Sequence, residues 1–252
     1  MTETSPSLEH ITLDHFDVEE TLNLIQQQGV AIIPSYVSGE QLEALNAEFE
    51  TMIQKVLAGE KIKGCVHREF NAGTGISVQR EGADTSVLPM TISFFDNPVM
   101  EELKNKYMGA SASFNDVVYV ANDVVGTHHY ANDLHFDVLP TLKFFIYLTD
   151  TTAANGAFSC IPGTNQETIK IREKYGKNIS FKNRELTRIS EREKDAIPVE
   201  SNAGTLIIFT TDVWHKAGTV SEGERRIIRG HCRKPKHQPS KIKSLVKKIF
   251  FN

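Results

Sequence analysis

Asp133-Leu134-His135-Phe136-Asp137-Val138 is the stretch on which the reading of this chain turns. His135 and Asp137 are two residues apart, and in an extended strand alternate side chains leave the same face. Completed by a distant histidine, an imidazole and a carboxylate side by side make the ligand set of a facial 2-His-1-carboxylate iron site. A His-x-Asp is common in chains of this size, and its plainer interpretation is a solvated strand end. The surroundings decide between the two.

Downstream the chain is rich in strand-like runs: Val117–Val120 just before the His-x-Asp stretch, then Leu142–Leu148, Gly156–Ile161, Gly204–Phe209 and Arg226–Cys232. Short runs of this kind with Gly, Pro and Asn between them predict a mainly β fold, an antiparallel sandwich or a jelly-roll barrel. His215 follows the Gly204–Phe209 run after a short turn, 80 residues beyond His135, which leaves room for intervening strands to bring the two imidazoles together. Arg226 comes eleven residues later, and an arginine on an apolar strand is costly unless a carboxylate meets it.

Upstream, Val18, Leu22 and Ile25 recur at helical spacing and Gly29 stops that helix. Val30-Ala31-Ile32-Ile33 reads as a short buried strand. Ser38 with Gln41 resembles a capping box for a helix that carries Leu42, Leu45, Phe49, Met52 and Ile53 on one apolar, core-packing face. A further helix is expected over 97–107. Residues 1–16 read as a loose N-terminus. Residues 58–90, polar and glycine-punctuated, read as a mobile lid or a strand–loop excursion, in which His67 and Arg68 are either solvated or near a substrate. The charged insertion 166–196 predicts a helix followed by a surface loop, either a solvated face or a wall of the site's mouth that attracts an anion. Residues 241–252 form a basic amphipathic pattern that suits packing on the sheet, a membrane surface or a partner.

With 252 residues, 40% hydrophobic and 24% charged, the chain has the composition of a globular protein able to bury a real core. A single domain over 1–252 is expected. The net charge of -4 gives no footprint of a nucleic-acid binder. Cys65, Cys160 and Cys232 are too few and too scattered for a disulfide framework or a zinc site. No apolar run of membrane-spanning length and no secretory leader is evident, so a cytoplasmic location is expected.

Taken in order, His135-Phe136-Asp137, Lys143 to Asp150, Asn155-Gly156-Ala157-Phe158, Ile161 to Asn165, Gly204 to Phe209, His215 and Arg225-Arg226 resemble the phytanoyl-CoA dioxygenase family of Fe(II)/2-oxoglutarate-dependent oxygenases. The opening helix, Gly29 to Pro34 and the helix from Ser38 fit as well. The resemblance spans most of the chain and implies a double-stranded β-helix core, jelly-roll and cupin-like, with N-terminal helices.

The resemblance implies further that His135, Asp137 and His215 are the iron ligands, and that Arg226 pairs with the distal carboxylate of 2-oxoglutarate. A planar guanidinium suits that task, since it can hold a carboxylate through two parallel hydrogen bonds. Arg225 is the competing choice, expected on the opposite strand face. Asn132, Lys143 and Tyr147 are candidate helpers in co-substrate binding. Relatives often carry a small hydroxyl residue two positions after the distal histidine; here that position is Ala217, so Thr219 or Tyr147 would have to serve. The implied cofactors are Fe(II), 2-oxoglutarate and O2, and the implied reaction is oxidative decarboxylation to succinate and CO2 coupled to attack on a small-molecule substrate, an anionic or carrier-tethered one among the options. Asp137 argues against halogenation, which in relatives goes with a small residue there. Hydroxylation is expected, with desaturation or ring formation as alternatives. A catalytically silent ligand binder, or a cupin-like metal protein of different chemistry, is the alternative from outside the class.

Overall fold

The computed structural model of the protein describes residues 8–234. The basic segment 241–252, expected to be helical, lies outside the described residues. Helix α1 (Val18–Gln28) begins where the Asp17 carboxylate accepts the backbone N–H of Glu20 and ends at Gly29, whose φ of +78° suits a residue without a Cβ. Strand β1 (Val30–Ile33) follows, buried along its whole length. Residues 8–16 are not the loose lead-in expected. Ile11 is fully buried beside Val30 and Ile32, and the Leu13 N–H donates to the Ile32 carbonyl. Leu8, Leu13 and Phe16 also pack against the core, so the segment is anchored at several points.

Helix α2 (Gly39–Leu57) buries Leu45, Phe49, Met52 and Ile53 as its periodicity predicts. The capping box is not formed, because Ser38 sits at the N-cap with extended backbone and its side chain makes no capping hydrogen bond. Within 58–90 the chain makes a hairpin, β2 (Cys65–Phe70) and β3 (Gly73–Gln79), that joins the main sheet instead of lying loose over it. Helices α3 (Pro89–Ser93) and α4 (Pro98–Met108) come next, the latter capped by Asn97 on the Val99 N–H. The remaining elements are β4 (Ser113–Phe114), β5 (Val117–Val124), β6 (Leu142–Tyr147), β7 (Ser159–Ile161), α5 (Asn165–Tyr175), β8 (Ile197–Pro198), β9 (Leu206–Thr210), β10 (Trp214–Lys216) and β11 (Glu224–Arg233).

Two antiparallel sheets result. The larger runs β1-β9-β6-β11-β5-β3-β2, with β4 added to β11, and the smaller runs β10-β7-β8. Strand β6 shows why its sequence carries almost no polar alternation. Phe144 and Ile146 pack on the helix side with Phe49 and Met52, whereas Phe145 and Tyr147 pack on the other side with Phe158 from the smaller sheet. Both faces are buried, so both parities are apolar. Helices back one face of the large sheet; the other looks across to the small sheet, and the space between them holds the candidate site.

Candidate metal centre and its cavity

Leu134 and Phe136 bury their side chains with Ile161, Ile179 and Trp214, the Phe136 and Trp214 rings meeting edge to face at 5.1 Å. That anchors one parity of the stretch, so His135 and Asp137 leave by the other. The backbone of His135 exchanges hydrogen bonds with that of His215, N–H to carbonyl at 2.9 and 2.8 Å, which sets the two imidazoles opposite each other with ring centroids 4.5 Å apart. The Phe136 N–H donates to Thr187, the Asp137 N–H to Thr211, and the Ile189 N–H to Leu134. The charged insertion thus packs along the His-x-Asp stretch and walls the mouth of the site with Phe181, Arg184 and Arg188.

Each imidazole is oriented by a carbonyl. His135 Nδ1 lies 2.7 Å from the Asp133 oxygen and His215 Nδ1 2.8 Å from that of Val213. A carbonyl can only accept, so both protons sit on Nδ1 and both Nε2 lone pairs turn inward. His135 Nε2 stands 3.5 Å, and His215 Nε2 3.9 Å, from Asp137 Oδ1, and one ligand atom from each of the three residues falls within 4.8 Å of the others. Asp137 Oδ2 is held by Lys143 Nζ at 2.8 Å. His215 Nε2 is buried with no hydrogen-bond partner. An orphaned buried acceptor costs about 1–3 kcal/mol, and a cation held between these three groups would remove the penalty.

The ionisation states suit a cation. Burial alone would raise the Asp137 carboxyl, but the Lys143 ammonium and the two imidazoles outweigh it and hold the group well below the usual carboxylate range. Burial, with His135 and Lys143 nearby, holds His215 well below the ordinary histidine range, so it stays neutral and able to coordinate. Burial also lowers Lys143, which Asp137 opposes.

Beside the three groups the sheets enclose a cavity of about 1230 Å³ including its open mouth, with an aromatic wall of Phe145, Phe158 and Phe209. Strand β11 presents Arg225, Ile227, Arg229, His231 and Arg233 to it. Arg226, expected here as the carboxylate clamp, faces the other way. Its guanidinium pairs with Glu50 at 3.1 Å and Glu224 at 2.8 Å and lies over the Phe49 ring, on the helix side of the sheet. The reason is the period of two: β11 carries isoleucines at 227 and 228, one per face, so the apolar pattern leaves its parity open and the pairing of Arg225 with Asp123 goes inward. Arg225 is buried, its guanidinium bonded to the Asp123 carboxylate and the Gly156 carbonyl, with Nε unpartnered.

Lys143 lines the cavity. Tyr147 does not: its hydroxyl, donating to the Val199 carbonyl and accepting from the Phe158 N–H, ties the two sheets together. Asn132 accepts from the His129 N–H and donates to the Ala217 and Gly218 carbonyls, which fastens the approach to His135 to the exit from His215. Ala217 lines the cavity and Thr219 is exposed. Arg229 and His231, which the sequence did not single out, face inward with Arg225, and because the apolar pattern of β11 leaves its parity open, no signal in the strand itself marks them.

Comparison with known proteins gives the same class. The carbocyclase SnoK from nogalamycin biosynthesis, described as non-heme and alpha-ketoglutarate dependent, is 15% identical with a TM-score of 0.59 over 90% of this chain and 90% of its own. The epimerase SnoN in complex with Fe3+, alpha-ketoglutarate and nogalamycin RO is 15% identical, TM-score 0.59, covering 86% and 83%. HygX from Streptomyces hygroscopicus, with nickel, 2-oxoglutarate and hygromycin B bound, is 13% identical, TM-score 0.57, covering 86% and 87%. At these identities the likeness is one of fold, that of the Fe/2-oxoglutarate-dependent oxygenases. No curated protein matches the chain. The family model described as Phytanoyl-CoA dioxygenase (PhyH) matches residues 25–227, and the chain belongs to that family.

His231 offers a pH test of this interior. Burial, with Lys143, Arg229 and Arg233 around it, holds the imidazole well below its ordinary range, and the ring stacks on Tyr119 at 4.5 Å with neither nitrogen bonded. Its folded pKa is depressed, so below about 6.5 the unfolded chain binds a proton that the folded one refuses. Stability is expected to be complete above that pH and to fall by up to about 1.4 kcal/mol per unit for this residue as pH drops through the window. Urea unfolding at about pH 7.5 and about pH 5.5 checks it: His231→Phe, which keeps the stack, should give a slope shallower by one proton.

Proposed function

We propose that this chain is an Fe(II)- and 2-oxoglutarate-dependent dioxygenase that hydroxylates an unactivated C–H bond of a small molecule. The observation that carries the reading is the convergence of His135, Asp137 and His215, each imidazole oriented by a backbone carbonyl and His215 Nε2 left without a partner. These three would hold Fe(II) on one face. When bound, the iron supplies the oxidation: O2 and 2-oxoglutarate give succinate and CO2, and the substrate carbon gains oxygen.

The chain's own residues have narrower tasks. Lys143 fixes the orientation of Asp137 by taking Oδ2 and leaves Oδ1 toward the imidazoles. Arg225, locked in direction by Asp123 and Gly156 and with Nε free, takes over from Arg226 as the guanidinium for the distal carboxylate of 2-oxoglutarate. Phe145, Phe158 and Phe209 keep water from the reacting atoms and offer an apolar wall to a substrate.

Ring formation or desaturation is the second reading. It is favoured by the likeness to a carbocyclase, and it differs only in how the substrate completes its reaction. Anaerobic Fe(II) with 2-oxoglutarate should give a weak visible charge-transfer band, and admitting O2 should release succinate. No band at saturating iron and co-substrate would return the protein to the cupin-like metal binders that do other chemistry. A product mass raised by one oxygen marks hydroxylation; a mass lowered by two hydrogens marks the second reading.

A further inference from the structure

The cavity holds more positive charge than iron and 2-oxoglutarate account for. Its two carboxylates are already engaged, Asp123 by Arg225 and Asp137 by Lys143. Fe(II) and the dianionic co-substrate offset each other. Arg229 and Arg233 remain on the inward face of β11, and neither enters an ion pair among the described residues. Among the described residues Arg233 donates to the Thr141 hydroxyl. Arg229 is the more telling of the two. Its Nε is buried with no partner, and its guanidinium lies over the rings of Tyr119 and Phe145 at 5.4 and 5.6 Å. A guanidinium stacked on rings keeps its N–H fork at the edge, free to grip a planar or tetrahedral anion. A half-buried cation without a counter-ion carries a desolvation cost, and a ligand that brings the counter-charge removes it.

We propose that Arg229 is a recognition site for an acidic group on the substrate, a carboxylate or a phosphate carried on an apolar body that lies along Phe145 and Phe209. This rests on the oxygenase reading and adds the substrate's chemical class. Position adds a constraint on where the reaction falls. His231, two residues from Arg229 and about 7 Å along the strand, pairs across the sheet with Lys143, which holds Asp137. The acidic group therefore sits one pleat from the level of the metal ligands, and the attacked carbon is only a few bonds from it.

The test uses full-length protein loaded anaerobically with Fe(II) and saturating 2-oxoglutarate, so that the co-substrate's own site is filled. Calorimetric titration with 4-phenylbutyrate, phenyl phosphate and neutral 4-phenylbutyramide compares the two acid classes with an uncharged analogue. At least one acid should bind at least about tenfold more tightly than the amide, and Arg229→Gln should abolish that margin while Arg229→Lys restores part of it. The charge-transfer band should persist in Arg229→Gln, which also certifies its fold. Equal binding of acids and amide to the wild type, or an acid preference that survives Arg229→Gln, overturns the proposal. So does loss of the 2-oxoglutarate band in Arg229→Gln, which would make Arg229 the co-substrate's anchor. Absence of the band in the wild type counts against the oxygenase reading instead, and the titrations then judge the anion site by themselves.

Discussion

Changing His215 to alanine should abolish succinate release and the visible band together while leaving a folded protein. Losing a group that only orients a metal ligand typically costs 10–100-fold in affinity or activity, so loss of a ligand itself should cost at least about a hundredfold. His215 supplies the orphaned nitrogen, and its removal leaves two groups of three. Asp137→Ala should do the same to turnover, with a second consequence. Lys143, nearly buried and paired to Asp137 at 2.8 Å, would be left as an uncompensated ammonium, so this variant should also lose stability, by about 3–5 kcal/mol. Asp137→Ala paired with Lys143→Met should recover the stability and none of the turnover. Full turnover in both single variants would remove the metal assignment.

The neighbouring arginines should separate cleanly. Arg225→Gln is expected to weaken 2-oxoglutarate by roughly 10–150-fold, read from the concentration dependence of the band, because a charge-assisted hydrogen bond is lost. It also strands Asp123, so Arg225→Gln combined with Asp123→Asn is the companion that tells affinity from folding. Arg226→Gln should leave the co-substrate affinity within about twofold and cost under about 1 kcal/mol, since its partners Glu50 and Glu224 are half exposed. The reverse outcome, Arg226 sensitive and Arg225 silent, would contradict the strand parity seen here.

What could be read from residues alone divides along physical lines. The run from Lys143 to Leu148 declares a strand buried on both faces, and it is the ordered resemblance to the family that marks His135, Asp137 and His215, since a His-x-Asp alone is common. Tertiary register is a different matter. Nothing in Arg225-Arg226-Ile227-Ile228 says which parity looks inward, because charge and hydrocarbon occur on both, and the choice is made by Asp123 on the neighbouring strand. Tyr147 and Asn132 were plausible as co-substrate contacts by type and position, but their polar atoms are spent on Val199, Phe158, Ala217 and Gly218. The hairpin within 58–90 was legible only as one of two readings, a strand–loop excursion or a mobile lid, for a related reason. Its residues are polar because β2 is an exposed edge, and an edge strand looks much like a loop in composition.

The reciprocal main-chain bonds between His135 and His215 carry one more implication. The two imidazoles are brought together by peptide groups, which need no ion to hold them. Assembly of the pocket and capture of the metal are therefore separate events, unlike small zinc domains that acquire shape only on loading. A chelator should silence such a protein without melting it, and a fresh ion should restore it without refolding.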